Sequence, residues 1–166
     1  MKPAIKIRNY RNVDKDACRL LWRELTEHHR EIYQEPAIGG EHPEDCFDKY
    51  LNKVGPARIW IAIIDSKVVG LSGLDVSGYE AEIEPLIVTK AHRNKGVGTK
   101  LLEKVIAEAH KIGTSLNVSP VARNIETIRF FHKAGFNKLG RVEMFIDFSN
   151  RTWKPYLELH GCKLDY

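Results

Sequence analysis

Two short stretches of the chain carry residue types that can do chemistry. In LIVTKAHRNKGVGTKLLEKV, Leu86 to Val105, an apolar β-branched run turns basic, sets Gly96 and Gly98 around Val97, and then takes up helical spacing. A helix N-terminus presents backbone N–H groups without intrahelical partners and a partial positive charge, so it attracts phosphate. Gly96 and Gly98 remove side chains where a diphosphate would have to touch the main chain, and Arg93, Lys95 and Lys100 add charge around it. The same glycines would also ease a tight strand-to-helix connection flanked by solvated lysines. Two familiar phosphate loops do not fit. The Walker pattern needs a glycine five residues before Gly98, where Arg93 stands, and a dinucleotide fingerprint needs a third glycine where Leu101 stands.

The second stretch precedes the first. Glu80, Glu82 and Glu84 alternate with Ala81 and Ile83, so on an unbroken strand the three carboxylates share one face, with Leu86 and Val88 farther along it. Such carboxylates can move protons, or can simply be the solvated face of a half-buried strand. Pro85 lacks an N–H and favours a bulge or local opening there. No metal site is expected. His28 and His29 face apart on a helix with no third ligand at useful spacing, and Cys18, Cys46 and Cys162 form neither a disulfide framework nor a paired ligand spacing.

The elements that must hold these residues can be read from periodicity. Ile5 to Arg8 is a first strand. Asp14 can cap the following helix, Asp16 suits its first turn, and Ala17, Leu21, Leu25 and Ile32 lie on one face before Pro36 ends it. Ala37 to Pro43 is a loop, and a weakly signalled helix covers Glu44 to Asn52. RIWIAIID and KVVGLSGLDV form a hairpin at Asp65-Ser66, and Glu80 to Val88 is a further strand. The helix opened by Gly96 points Val97, Leu101, Leu102, Val105, Ile106 and Ala109 inward and ends at Gly113. TSLNVS is a short strand, a helix runs from about Arg123 to Lys133, and the chain returns as the strands FNKLGR and EMFIDF. The order β-α-α-β-β-β-α-β-α-β-β is that of an α/β sandwich mixing antiparallel hairpins with one crossover. At 166 residues, 43% of them hydrophobic, the chain is expected to be a single domain, 1–166, with a C-terminal extension at about 149–166. Net charge is only +4, MKPAIKIRNY lacks a signal-peptide core, and no window reaches membrane-spanning length, so a soluble cytoplasmic protein is expected.

The run Arg93-Asn94-Lys95-Gly96-Val97-Gly98 after PLIV resembles the acyl-CoA loop of the GNAT superfamily of N-acetyltransferases. RNIETIRFFHKAGF resembles that family's second CoA-side segment, with Asn124 near the helix start and Gly135-Phe136 after it. The element order also matches, and the likeness covers most of Ile5 to Phe148. It implies a mixed α+β, three-layer sandwich whose central, mostly antiparallel sheet has six to seven strands flanked by about four helices. It implies acetyl-CoA as co-substrate, with no metal. Backbone amides of Asn94, Lys95, Gly96, Val97, Gly98 and Thr99, with Arg93 beside them, would hold the diphosphate. The main chain of Leu86, Ile87 and Val88 would meet the thioester and pantetheine arm. Asn124 would contact the cofactor by its side chain, and Phe131 would pack against the pantetheine channel or the core. In the family an opening like the one expected at Pro85 admits the cofactor between two parallel strands.

Acetyl transfer to an amine then faces a protonation problem, because an ammonium of pKa about 10.4 leaves roughly one molecule in a few thousand as free nucleophile at neutral pH. A carboxylate, directly or through water, can take that proton. Glu82 best matches the base position of some family members and Glu84 is next. Phe131 departs from the tyrosine that protonates the leaving sulfur in many members, and losing a general acid costs about two to four powers of ten in rate. Ser119, His132 or water could substitute; His132 is the weaker choice because the next residue on a helix points about 100° away. On the acceptor side, Glu31, Glu35, Glu41, Glu44 and Asp45 could draw in a cationic amine or be a solvated acidic face. The resemblance leads to an acetyl-CoA-dependent N-acetyltransferase working by direct transfer in a ternary complex, as Cys18 and Cys46 lie outside the cofactor segments. A non-catalytic acyl-CoA-binding sensor or interaction module is the alternative, favoured only by Phe131. RNA binding is set aside because the aromatics do not interleave with Lys or Arg. The expected partner is a small-molecule or peptide amine, with no nucleic acid and no membrane. The tail RTWKPYLELHGCKLDY either closes the cleft or joins a second subunit as a homodimer.

Overall fold

A computed structural model describes residues 4–78, 80–113, 115–149 and 151–166. Contacts divide the chain into two compact units, Met1–Ser119 and Pro120–Tyr166. In the first, β1 (Lys6–Asn9), β2 (Ile59–Ile64), β3 (Lys67–Ser77), β4 (Glu80–Val88) and β5 (Ser115–Asn117) form one sheet in chain order. The first three junctions are antiparallel and β4–β5 is parallel. The sequence IWIAII of β2 is apolar throughout, as suits a strand covered on both faces, and all but one of its residues are buried. Asp65 and Ser66, at φ +46° and +63°, supply the two left-handed residues of a tight hairpin turn.

Helix α1 (Lys15–Tyr33) and α2 (Asp45–Val54) cover one face. Cys18 and Leu21 of α1 and Phe47, Tyr50 and Val54 of α2 pack with Tyr10, Ile59, Ile61, Leu71 and Ile87 of the sheet layer. Helix α3 (Val97–Ile112) covers the other face with Val97, Leu101, Leu102, Val105 and Ala109 buried, and Lys104 lies 5.9 Å from the Trp60 ring centroid. Gly113, at φ +75°, ends it in the left-handed conformation that favours glycine. Of the three cysteines, all free, Cys18 sits wholly in this core, where burial pushes its thiol up to about 12.

The second unit holds α4 (Ile125–Lys133) and a separate hairpin of β6 (Leu157–Leu159) with β7 (Cys162–Leu164). The mixed α/β class is as expected, but the main sheet has five strands rather than six or seven. FNKLGR and EMFIDF form no strand among the described residues. Apolar residues give a segment something to bury, whereas a strand also needs a partner for its N–H and C=O groups. Here local contacts organise the segment instead. Asp147 accepts from Ser149 N (2.9 Å) and Trp153 Nε1 (2.7 Å), and Phe145 meets the Trp153 ring edge-on at 5.2 Å. Of TSLNVS, Thr114 lies outside the described residues.

Asp14 precedes α1, yet its carboxylate does not cap the helix amides. It turns back to accept from Arg8 at 2.7 and 2.8 Å and from Arg11 N at 2.8 Å. The Arg8 hydrogen bond is the main cause holding the Asp14 carboxyl below the usual carboxylate range. With the folded value lowered, the stability Asp14 contributes is complete above the unfolded pKa of about 3.9 and is lost as pH falls through the folded value. Asp14→Asn should therefore lower the urea midpoint at pH 7, and the gap from the parent protein should narrow progressively below pH 4.

Candidate active site

The parallel pairing of β4 with β5 is short. It joins Glu80, Ala81 and Glu82 to Ser115, Leu116 and Asn117 and stops there, while β4 continues to Val88. From Ile83 onward the β4 edge facing away from β3 has no strand partner among the described residues. At the same place β4 carries an extra residue. Ser72 pairs with Leu86 and Leu74 with Ile83, so Glu84 and Pro85 together oppose Gly73. This is the bulge expected from Pro85.

The bulge overturns one reading of the alternation. Asp75, the cross-strand partner of Glu82, pairs with Lys53 of α2 at 2.5 Å, so Glu82 faces the α2 side, where Glu84 also lies 3.9 Å from Lys53. Val88 pairs with Gly70, and a Cβ on Gly70 would meet Leu101 and Val97 of α3 at 3.1 and 3.4 Å. Leu86 and Val88 therefore face α3, opposite the glutamates, because one inserted residue reverses a period-two pattern.

Downstream of β4 lies the glycine turn. Asn94 and Gly96 take left-handed φ of +58° and +85°, and α3 starts at Val97. A Cβ on Gly96 would meet nothing within 4 Å, so the conformation rather than crowding calls for glycine. Among the described residues, none of the amides from Asn94 to Thr99 makes a well-aligned hydrogen bond within 3.5 Å to a protein acceptor, although the chain turns on itself over 93–96; the next amide, Lys100 N, donates to Gly96 O at 3.1 Å. These backbone donors are at most weakly committed within the protein. The side-chain cations are more committed than their sequence positions suggest. Arg93 Nε donates to Val88 O (3.0 Å) and Lys95 Nζ to Ala91 O (2.8 Å), while Lys100 is exposed.

Of the expected acid-base residues, the fold brings Glu82 and Ser119 together: Ser119 Oγ donates to Glu82 Oε1 at 2.7 Å. Glu82 is half-buried, whereas the Glu84 side chain is 51% exposed. The acids of the α1–α2 segment divide. Glu44 is bound by Arg23, which holds its carboxyl down to about 2, and Asp45 by Arg19 at 2.5 Å, so both are neutralised within the protein. In the second unit Asn124 caps α4, its Oδ1 accepting from Thr127 N at 3.2 Å. Phe131 is buried in an aromatic cluster, 5.4 Å from each of Phe130 and Phe136.

Two hydroxyls beside the bulge escaped the sequence reading. Ser72 Oγ and Tyr50 Oη are buried without a hydrogen-bond partner, and burial, then the charges of Glu84 and Asp75, push the Tyr50 phenol up. A β-carbon on Gly73 would stand 1.9 Å from Tyr50 Oη and 2.9 Å from Glu84 O. Gly73 within a strand was the available signal, since glycine there marks a close approach.

Among the described residues no helix is long and apolar enough to cross a membrane, and no cluster of His, Cys, Asp and Glu could hold a metal ion. The family model of the acetyltransferase (GNAT) family matches residues 22–136, and the chain belongs to that family. No match was found among curated proteins. Solved structures are similar throughout the fold. They include a GNAT-family acetyltransferase from Staphylococcus aureus Mu50, with 24% identity over 89% of this chain and 96% of that one and a TM-score of 0.64. The ribosomal-protein-S18-alanine N-acetyltransferase of Escherichia coli shows 19% identity over 82% and 80%, with a TM-score of 0.63. N-acetylglutamate synthase from Neisseria gonorrhoeae, complexed with coenzyme A and N-acetyl-glutamate, shows 22% identity over 84% of this chain but 30% of that one, with a TM-score of 0.62. At these identities the likeness is one of fold.

Gly73→Ala should destabilise the protein by about 1–3 kcal/mol, since its methyl group must displace both a phenol and main chain. Tyr50→Phe should do the reverse, stabilising by up to about 1–3 kcal/mol because it deletes a buried hydroxyl that has no partner. Urea unfolding of the two variants checks both signs.

Proposed function

We propose that the protein moves an acetyl group from acetyl-CoA to a primary amine by direct transfer within a ternary complex. One observation carries this reading. Among the described residues the β4 edge is left without a strand partner beyond Glu82 and leads, through Leu86, Ile87 and Val88, to a turn whose amides from Asn94 to Thr99 have no well-aligned protein acceptor. An extended pantetheine arm needs main-chain groups along such an edge, and a diphosphate needs convergent N–H donors at its end. Family membership and the likeness to structures of acetyltransferases support the same assignment.

In this reading the amides of Asn94 to Thr99 hold the diphosphate and the exposed Lys100 adds charge. Arg93 closes the turn. Within the second unit Asn124 caps α4 through Oδ1 and keeps only its amide nitrogen for a ligand, and Phe131 is packing rather than chemistry. Glu82 is the base. It takes the proton that an ammonium acceptor must lose before its nitrogen can attack the thioester carbonyl. Ser119, already bonded to Glu82, passes its proton to the sulfur as the C–S bond breaks and takes the proton held by Glu82 in return; Glu82, ionised again, accepts the second proton that the nitrogen sheds as the amide forms and releases it to solvent. No protein nucleophile is needed, and the buried thiol of Cys18, with its raised pKa, is unsuited to be one.

Calorimetry with acetyl-CoA followed by an amine panel tests the assignment. Glu82→Gln should retain acetyl-CoA affinity while turnover falls by about 10²–10⁴-fold, and Glu84→Gln should fall much less. Absence of acetyl-CoA binding to the parent protein would remove the reading altogether.

A further inference from the structure

The connection between β4 and α3 is tied to other elements over its first half, whereas its second half is held by contacts within the turn and α3, Lys95 Nζ to Ala91 O (2.8 Å) and Lys100 N to Gly96 O (3.1 Å). Thr89 N donates to Val69 O (2.9 Å), His92 N to Thr89 O (2.8 Å) and Arg93 Nε to Val88 O (3.0 Å). These bonds come from the sheet or from the turn itself. One further tie crosses from another layer. Glu24, on α1, accepts from Lys90 N at 2.5 Å through Oε1, and the same oxygen lies 3.9 Å from Arg93 Nη2. Helix α1 packs on the face of the sheet opposite α3, so Glu24 reaches across the end of β4 to hold the turn that leads into α3.

A carboxylate close to a site for an anion is the wrong charge for simple attraction. Its presence there is intelligible only if geometry matters more than charge at that point, and if a neighbouring cation offsets it. Both conditions are met. The carboxylate bonds a backbone N–H, which fixes where the turn starts, and Arg93 sits beside it. Immediately past Arg93, the amides from Asn94 to Thr99 have no well-aligned protein acceptor among the described residues, so the first half of the connection sets where they begin.

We propose that Glu24 is a positioning residue for diphosphate binding: it touches no ligand, but fixes Lys90 and Arg93 so that the six following amides converge. The inference rests on the coenzyme reading of the turn. Arg93 is thereby assigned to the turn's framework, paired with Glu24 and Val88 O, rather than to a phosphate.

Glu24→Ala and Glu24→Gln separate this role from an electrostatic one. The full chain is titrated with coenzyme A by calorimetry, and exchange of the Lys90 amide proton is followed by NMR. Glu24→Ala should weaken coenzyme A binding by about tenfold, the loss of one hydrogen bond to a charged acceptor, and should speed exchange at Lys90. Glu24→Gln should recover most of both, since its amide oxygen still accepts from Lys90 N. Unchanged affinity in Glu24→Ala, or tighter binding in both variants because a repelling charge has gone, would overturn the proposal while leaving the coenzyme assignment intact. Failure of the parent protein to bind coenzyme A would remove both.

Discussion

Parallel strands stay together only while their ladder continues, and in this protein the ladder between β4 and β5 lasts three residues. Everything distinctive about the site depends on that early parting. Past Glu82 the main chain of β4 keeps its bonds to β3 but offers its other edge to whatever enters. The bulge opposite Gly73 coincides with the parting and reverses the faces. The carboxylates therefore lie toward α1 and α2 while the side chains of Leu86 and Val88 lie toward α3. A continuous strand would have put Glu82 and Glu84 on the same side as Leu86 and Val88. The extra residue separates the layer of the carboxylates from the layer of α3.

The site's positive character comes mostly from the backbone. Arg93 and Lys95 spend donors on carbonyls of their own turn, and Glu24 offsets part of the Arg93 charge. What remains without a well-aligned acceptor among the described residues is a run of amides that includes left-handed residues at 94 and 96. The carboxylates are sorted in a similar way. Glu44 and Asp45 are consumed by arginines of α1, and Asp75 by Lys53, whereas Glu82 meets a neutral hydroxyl.

Much of this was legible before any coordinates. β4 occupies the span read from EAEIEPLIV, the hairpin turns at Asp65-Ser66, and α3 runs between Gly96 and Gly113. These signals are local: alternation, turn residues and glycine at positive φ each act within a few residues. Asp14 shows how such a signal can mislead, because its position suits a helix cap but Arg8, brought close by the strand before it, outcompetes the amides. Glu44 and Asp45 mislead in the same way, since their charges are exposed in sequence and paired in space. FNKLGR and EMFIDF were read as strands from their place in the element order, but a strand is a relation between two segments and only one of them is visible in a linear pattern.

By itself the sequence determined the helices, the strands of the main sheet and the turns between them, and that a glycine-flanked helix start follows a proline-interrupted strand. All of that depends on neighbours along the chain. The tertiary structure alone decided that β4 leaves β5 at Glu82, that Ser119 rather than a more distant hydroxyl meets that carboxylate, that Tyr50 fills the space above Gly73, and that Glu24 holds the turn from the far layer. Glu24 and Lys90 are 66 positions apart, as are Glu82 and Ser119 by 37, and no periodicity carries information over such separations. Only the packing of helices against the sheet brings those atoms within hydrogen-bonding distance.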